Sequence, residues 1–382
     1  MDTGKNSELI HLLIVFYIKL IDMKLKKMFV VPLMAAGLLS PSVADACTGI
    51  TLKSKDGATV VARTIEWGGS DLNSQYVIVP RNYKEQSYTP EGQNGMVFTS
   101  RYGYVGLAVQ QKEFVAEGLN EAGLSAGLFY FPRYGKYETY NPSLKAQSIS
   151  DLQLVSWILG NCKNVDEVKE AVRQVHVVNV DPRASTVHWR FTDLSGRQIV
   201  LEIMDGTPRF YENPLGVLTN SPDLEWHLTN LNNYVNLFPG TAPENQLGET
   251  NLTSFGAGSG FLGIPGDVTP PSRFVRAAFY QATAPVPATS QETVLQGFQI
   301  LNNFDIPIGI EHPEGECPDI PSATQWTSAI DLTNRRIYYK TAYNNTIRCI
   351  DLAGIDFGKT AYQSHPLDRN REQPVQQIAI PE

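Results

Sequence analysis

The chain has 382 residues, a formal net charge of −8 at pH 7 and four cysteines. That length can bury a sizeable core, and the acidic balance argues against nucleic acid and anionic membrane surfaces as partners. Four cysteines are too few for a scaffold built on disulfides.

Residues 1–46 read as a leader. Lys24, Lys26 and Lys27 precede an apolar run from Met28 to Leu39, and Pro41 and small residues lead to an A-x-A site formed by Ala44 and Ala46. Met23 offers an alternative start, which would leave residues 1–22 untranslated. The leader carries more lysines than acids, so the remainder is more acidic than the whole. No later apolar run reaches the length of a membrane span, so the mature form is expected to have no membrane partner. The expected localisation is export.

Cutting after Ala46 makes Cys47 the first residue, carrying both a thiol and a free α-amine. Such an amine has a pKa of roughly 7.7–8.0 and can take the thiol proton directly or through one water. Two other readings of Cys47 remain open: a buried structural cysteine, or the lipidated cysteine of an exported anchor, for which Asp45 and Ala44 fit poorly. With Cys47 free, Cys162, Cys317 and Cys349 can form at most one bridge.

Residues 48–54 alternate as a half-buried strand, Lys55-Asp56-Gly57 marks a turn, and Thr59 to Ile65 returns. A two-residue turn sets Cys47 against Glu66; a three-residue turn puts Arg63 on its face. Further strands are expected at Tyr76–Val79, Met96–Thr99, Tyr104–Val109 and Leu124–Phe131, with Asn120 in a turn. A helix over Asp151–Leu159 ends at Gly160-Asn161, and Asn164 with Glu167 caps the next. Thr186–Thr192 and Gln198–Met204 form a hairpin, Leu215–Thr219 a short strand, and Asp223 to Leu237 a helix. Residues 238–270 read as a surface excursion. Helices over Pro271–Thr283 and Gln291–Asn303 precede strands at Thr324–Asp331, Ile337–Lys340 and Ile347–Leu352. With no linker or repeat, residues 47–382 are expected to form one domain of stacked antiparallel sheet and helix.

Several motif matches fail on context. Gly258 to Gly263 fits G-x-G-x-x-G but follows no strand, Gly354 to Thr360 is one residue short of a phosphate loop, and no serine sits in G-x-S-x-G. The histidines show no metal-ligand spacing.

Cys47-Thr48-Gly49, Arg63-Thr64-Ile65-Glu66-Trp67, Pro80-Arg81-Asn82, Asn120-Glu121-Ala122-Gly123-Leu124, Leu218-Thr219-Asn220-Ser221-Pro222, Asn230-Leu231-Asn232-Asn233-Tyr234 and Gly263-Ile264-Pro265-Gly266-Asp267 with Ser272-Arg273-Phe274 occur in this order. Together they resemble the choloylglycine hydrolases, the N-terminal-nucleophile family of bile salt hydrolases and penicillin V acylases. The resemblance implies an α+β fold, a four-layer αββα sandwich, that hydrolyses a linear amide bond with no cofactor and no metal. It assigns Cys47 as nucleophile, with Arg63 favouring the thiolate and lowering the thiol pKa. Glu66 would hold the α-amine, Asn220 would donate to the oxyanion, and Arg273 would complete the charged network. Phe129 and Tyr130 fall where the family meets substrate.

Glu66 stands where Gram-positive bile salt hydrolases and many penicillin V acylases carry aspartate. The asparagine expected after Gly127-Leu128 is missing; Phe129-Tyr130-Phe131 follow instead, and a tyrosine in that neighbourhood is more like the penicillin acylases. The cleavable leader resembles the exported, periplasmic or secreted members of Gram-negative bacteria. The expected partner is a small molecule, a conjugated bile salt, with penicillin V or an acyl-homoserine lactone as the alternative acyl substrate. Family resemblance implies a homo-oligomer, a tetramer. A non-catalytic binding protein on this scaffold, lipid-anchored or soluble, is the alternative of another class.

Overall fold

A computed structural model of the chain describes residues 47–68, 71–180, 185–311 and 323–381. Residues 1–46, expected to be a leader, and Cys317 lie outside the described residues. Thirteen strands make the two principal sheets: β1 (Cys47–Lys53), β2 (Thr59–Trp67), β3 (Gln75–Val79), β4 (Tyr104–Ala108), β5 (Val115–Asn120), β6 (Ser125–Tyr130), β7 (Val187–Thr192), β8 (Gln198–Met204), β9 (Thr207–Glu212), β10 (Ala323–Asp331), β11 (Arg336–Thr341), β12 (Asn344–Asp351) and β13 (Gln363–Pro366). The α-helices among the described residues are α1 (Leu154–Asn161), α2 (Val165–Val172), α3 (Leu224–Asn230), α4 (Pro270–Thr283) and α5 (Ser290–Leu301).

The first sheet has the order β1-β2-β10-β11-β12 and the second β9-β8-β7-β6-β5-β4-β3-β13, every pair antiparallel. Helices α4 and α5 cover the outer face of the first sheet, and α1 and α2 cover that of the second. The result is the four-layer αββα arrangement, in which each sheet needs its second face buried because strands such as β2, β5 and β10 have almost no exposed residue.

The first hairpin decides which side chains meet. Ser54 N–H donates to Ala58 O at 3.0 Å, closing a three-residue loop over Lys55-Asp56-Gly57 with Gly57 at φ +88°. Cys47 therefore lies opposite Ile65 and Gly49 opposite Arg63. Cys47 and Arg63 point between the sheets, whereas Thr48, Thr64 and Glu66 take the opposite face, toward α4.

Some local expectations change. Leu215–Thr219 is not a strand: only Leu218 bridges, to Gly49. The helix expected over Asp223–Leu237 is α-helical only to Asn230 and finishes as a 3-10 turn at Leu231–Tyr234. Strands β9 and β13 were not expected, because Pro208 and Pro366 mask edge strands that need few ladder bonds. Asn120 does act in its turn, its Oδ1 accepting from the N–H of Ala122 and Leu124. Among the described residues, Cys47, Cys162 and Cys349 form no disulfide with one another.

Candidate active site

Cys47 is the first residue of β1 and is 4% exposed. Arg63 Nη2 lies 2.8 Å from its Sγ. The same guanidinium donates from Nε to Thr64 O at 3.2 Å, and from Nη1 to Ala116 O at 3.3 Å and to Leu128 O. These carbonyls belong to both sheets, so the interface between the sheets fixes the guanidinium against the thiol. Phe129 supplies its floor, with the guanidinium carbon 4.1 Å from the ring centroid.

The thiol does not follow the expected direction. Burial raises its pKa above the usual value, and this outweighs the lowering by Arg63; Glu66 adds to the rise, while the Tyr130 backbone and Arg273 oppose it. Desolvation disfavours the thiolate more than one guanidinium can offset. Cys47 thus holds its proton at neutral pH and needs a base beside it to react.

The amide of Asn220 is placed by the Leu218 bridge. Gly49 N–H donates to Leu218 O at 2.7 Å and Leu218 N–H to Gly49 O at 3.1 Å, laying residues 218–220 along the edge of β1. Asn220 Oδ1 then accepts from Cys47 N at 2.8 Å and from Arg273 Nη2 at 2.7 Å, while Nδ2 donates to Tyr130 O at 2.8 Å. Arg273 enters from α4 and also donates to Cys47 O, to Thr48 Oγ1 at 2.8 Å and to Val268 O at 2.7 Å. Buried His227 reaches Asn220 O from Nε2 at 2.8 Å and stacks on Phe274.

Glu66 is buried on the α4 face. Thr324 Oγ1 donates to its Oε1 at 3.1 Å, and its Oε2 has no hydrogen-bond partner among the described residues. Burial pushes the carboxyl up to about 7, against the lowering by Arg273, by the Thr64 and Thr324 hydroxyls and by Arg63.

The five residues assigned to chemistry therefore come together. Phe129 is fully buried beneath Arg63, whereas Tyr130 is part exposed at the end of β6. Glu117 and Arg190, which no sequence motif marks, share the interior with Arg63. The signal available was one buried-strand charge of each sign, in VAEGLN and VHWRFT. Among the described residues no three His, Cys, Asp or Glu side chains converge as a metal site.

The family of linear amide C–N hydrolases, choloylglycine hydrolase family, matches residues 47–363. A bile salt hydrolase/transferase of Clostridium perfringens is 34% identical over 312 residues, 80% of this chain and 92% of its own length. One from Lactiplantibacillus plantarum is 30% identical over 331 residues, 84% of this chain and 97% of its own. Two solved structures of conjugated bile acid hydrolase from Clostridium perfringens, a cysteine-to-alanine mutant and an arginine-to-leucine variant, each give a TM-score of 0.76 at 31% identity, covering 87% of this chain and 100% of theirs. Penicillin V acylase from Agrobacterium tumefaciens, at TM-score 0.68 and 24% identity over 84% of this chain and 92% of its own, shares the fold. The expectation of an exported, periplasmic or secreted enzyme of a Gram-negative bacterium is corrected by the curated bile salt hydrolases, which come from the Gram-positive genera Clostridium, Lactiplantibacillus, Bifidobacterium and Lactobacillus.

Proposed function

The chain belongs to the choloylglycine hydrolase family of linear amide C–N hydrolases, and we propose that it cuts glycine- or taurine-conjugated bile salts with Cys47 as an N-terminal nucleophile. The observation that carries this reading is the 2.8 Å contact of Arg63 Nη2 with Cys47 Sγ at the first residue of the matched region. The two Clostridium perfringens variants support it, since their altered arginine follows the altered cysteine at the same spacing of 16 that separates Arg63 from Cys47.

Removal of residues 1–46 exposes the α-amine of Cys47. The neutral amine takes the thiol proton, and the sulfur attacks the amide carbon. Nδ2 of Asn220 keeps one hydrogen on Tyr130 O and offers the other to the oxyanion. Collapse breaks the C–N bond; the α-ammonium returns its proton to the leaving glycine or taurine nitrogen, leaving a thioester. Water, deprotonated by the same amine, then releases the bile acid and restores the thiol. Glu66 Oε2, buried without a partner among the described residues, is the oxygen proposed to hold the ammonium. Arg273 fixes the amide of Asn220.

Tyr130, resembling the penicillin acylases at this place, favours a second acyl substrate, penicillin V or an acyl-homoserine lactone. A substrate panel with released amine as readout separates the two. Turnover of bile conjugates lost in Cys47→Ala supports the first reading, acylase turnover alone overturns it, and no turnover leaves the non-catalytic alternative. Exposed Phe238, Leu247, Phe255 and Leu262 of the excursion support a homo-oligomer, a tetramer by family likeness, and light scattering measures it.

A further inference from the structure

Three adjacent strands of the eight-stranded sheet carry Glu117, Gly127 and Arg190 side by side, in the register Glu117 opposite Gly127 and Gly127 opposite Arg190. Because the middle position has no side chain, its neighbours meet above it: Arg190 Nη2 lies 3.3 Å from Glu117 Oε1 and 3.5 Å from Oε2. A Cβ at Gly127 would run into Glu117 Oε2. On its other side Glu117 Oε2 lies 3.5 Å from Arg63 Nη1. Arg190 crosses the interior, with Nη1 donating to Ile50 O and Ala62 O at 3.3 Å. It needs a second glycine to do so, since a Cβ at Gly49 would lie 2.7 Å from Nη1. None of the three charged side chains is more than 1% exposed.

Two guanidiniums and one carboxylate leave this buried triad with one uncompensated positive charge. Buried charge is costly unless paired. The group at the free end of the triad is the Cys47 sulfur, touching Arg63 Nη2. We infer that Glu117 and Arg190 are positioning residues, which act through Arg63 to set its orientation and the net positive charge presented to the sulfur of Cys47. This rests on the reading of Cys47 as nucleophile. Glu117 reduces the attraction that Arg63 exerts on a thiolate, and Arg190 restores part of it.

The test uses opposite signs. Cys47 alkylation by iodoacetamide is followed by mass spectrometry against pH in wild type, Glu117→Gln and Arg190→Gln, with amide turnover measured beside it. Removing the anion should move the Cys47 alkylation midpoint to lower pH, and removing the cation should move it to higher pH. Each shift should be on the order of one pH unit, as for a unit charge within roughly 10 Å at an effective dielectric of about 20. Damage to packing has no reason to give opposite signs, so shifts in one direction, or none, overturn the inference. Should Glu117→Gln fail to fold, Arg190→Gln decides alone: Glu117 keeps Arg63 as partner, and an unchanged midpoint overturns the proposal. If alkylating Cys47 in wild type leaves turnover intact, it is the nucleophile reading that has failed.

Discussion

Arg273 Nη2 donates to Asn220 Oδ1 at 2.7 Å, and the Cys47 backbone N–H donates to the same oxygen at 2.8 Å. Two donors on one atom leave the amide a single orientation, in which Nδ2 faces Tyr130 O. Arg273 also reaches Cys47 O and Thr48 Oγ1, so one α4 side chain aligns the amide with the start of β1.

Asn220→Ala should lower kcat on the order of 10²–10³-fold with little change in KM, because the proposed donor bond strengthens only as charge develops on the substrate oxygen. Steady-state kinetics on a bile conjugate checks it. A rise in KM alone would make Asn220 a substrate-binding residue.

Retaining Ala46 before Cys47 should abolish turnover. An amide nitrogen cannot accept the thiol proton, and burial already keeps that thiol protonated. The measurement is intact mass together with activity; normal turnover from a protein of uncleaved mass would remove the α-amine from the mechanism.

Glu66 carries a pH signature in protein that retains residues before Cys47. Its folded pKa of about 7 lies above the ordinary 4.5, so the native state binds the proton more tightly than the unfolded chain. Stability from this carboxyl is therefore highest below about 4.5 and declines as pH rises through about 7. In protein retaining residues before Cys47, Glu66→Gln should raise the melting temperature at pH 8 relative to wild type, with the gap closing toward pH 4.5. Thermal melts across that range check the sign, and a lower melting temperature for the variant at pH 8 would contradict it.

Gly49→Ala should destabilise the fold and reduce turnover together. The new methyl would lie 2.7 Å from Arg190 Nη1 and 2.9 Å from Phe129 Cζ, beneath the guanidinium that touches Cys47. Overpacking of this kind costs about 1–3 kcal/mol. A denaturant midpoint unchanged from wild type would show that the interior yields there.

Alternation over residues 48–65 and the Lys55-Asp56-Gly57 turn were legible in the sequence, because a strand's period and a glycine's positive φ are local properties. The order of seven short motifs carried the family, and with it the αββα layers and the residues that converge at Cys47. The lysines, apolar run and A-x-A site of residues 24–46 were legible too, but the export read from them is corrected by the curated Gram-positive relatives. Tertiary structure decided the rest. The Ser54–Ala58 closure chose between two registers and put Arg63, not Glu66, on the face of Cys47. The Gly49–Leu218 bridge brought Asn220 across 173 positions to the Cys47 nitrogen. The pairing of Glu117 with Arg190 depends on three strands in register over a glycine, and the thiol pKa depends on how much water two packed sheets exclude. These are properties of distance between residues far apart along the chain, which local patterns do not encode.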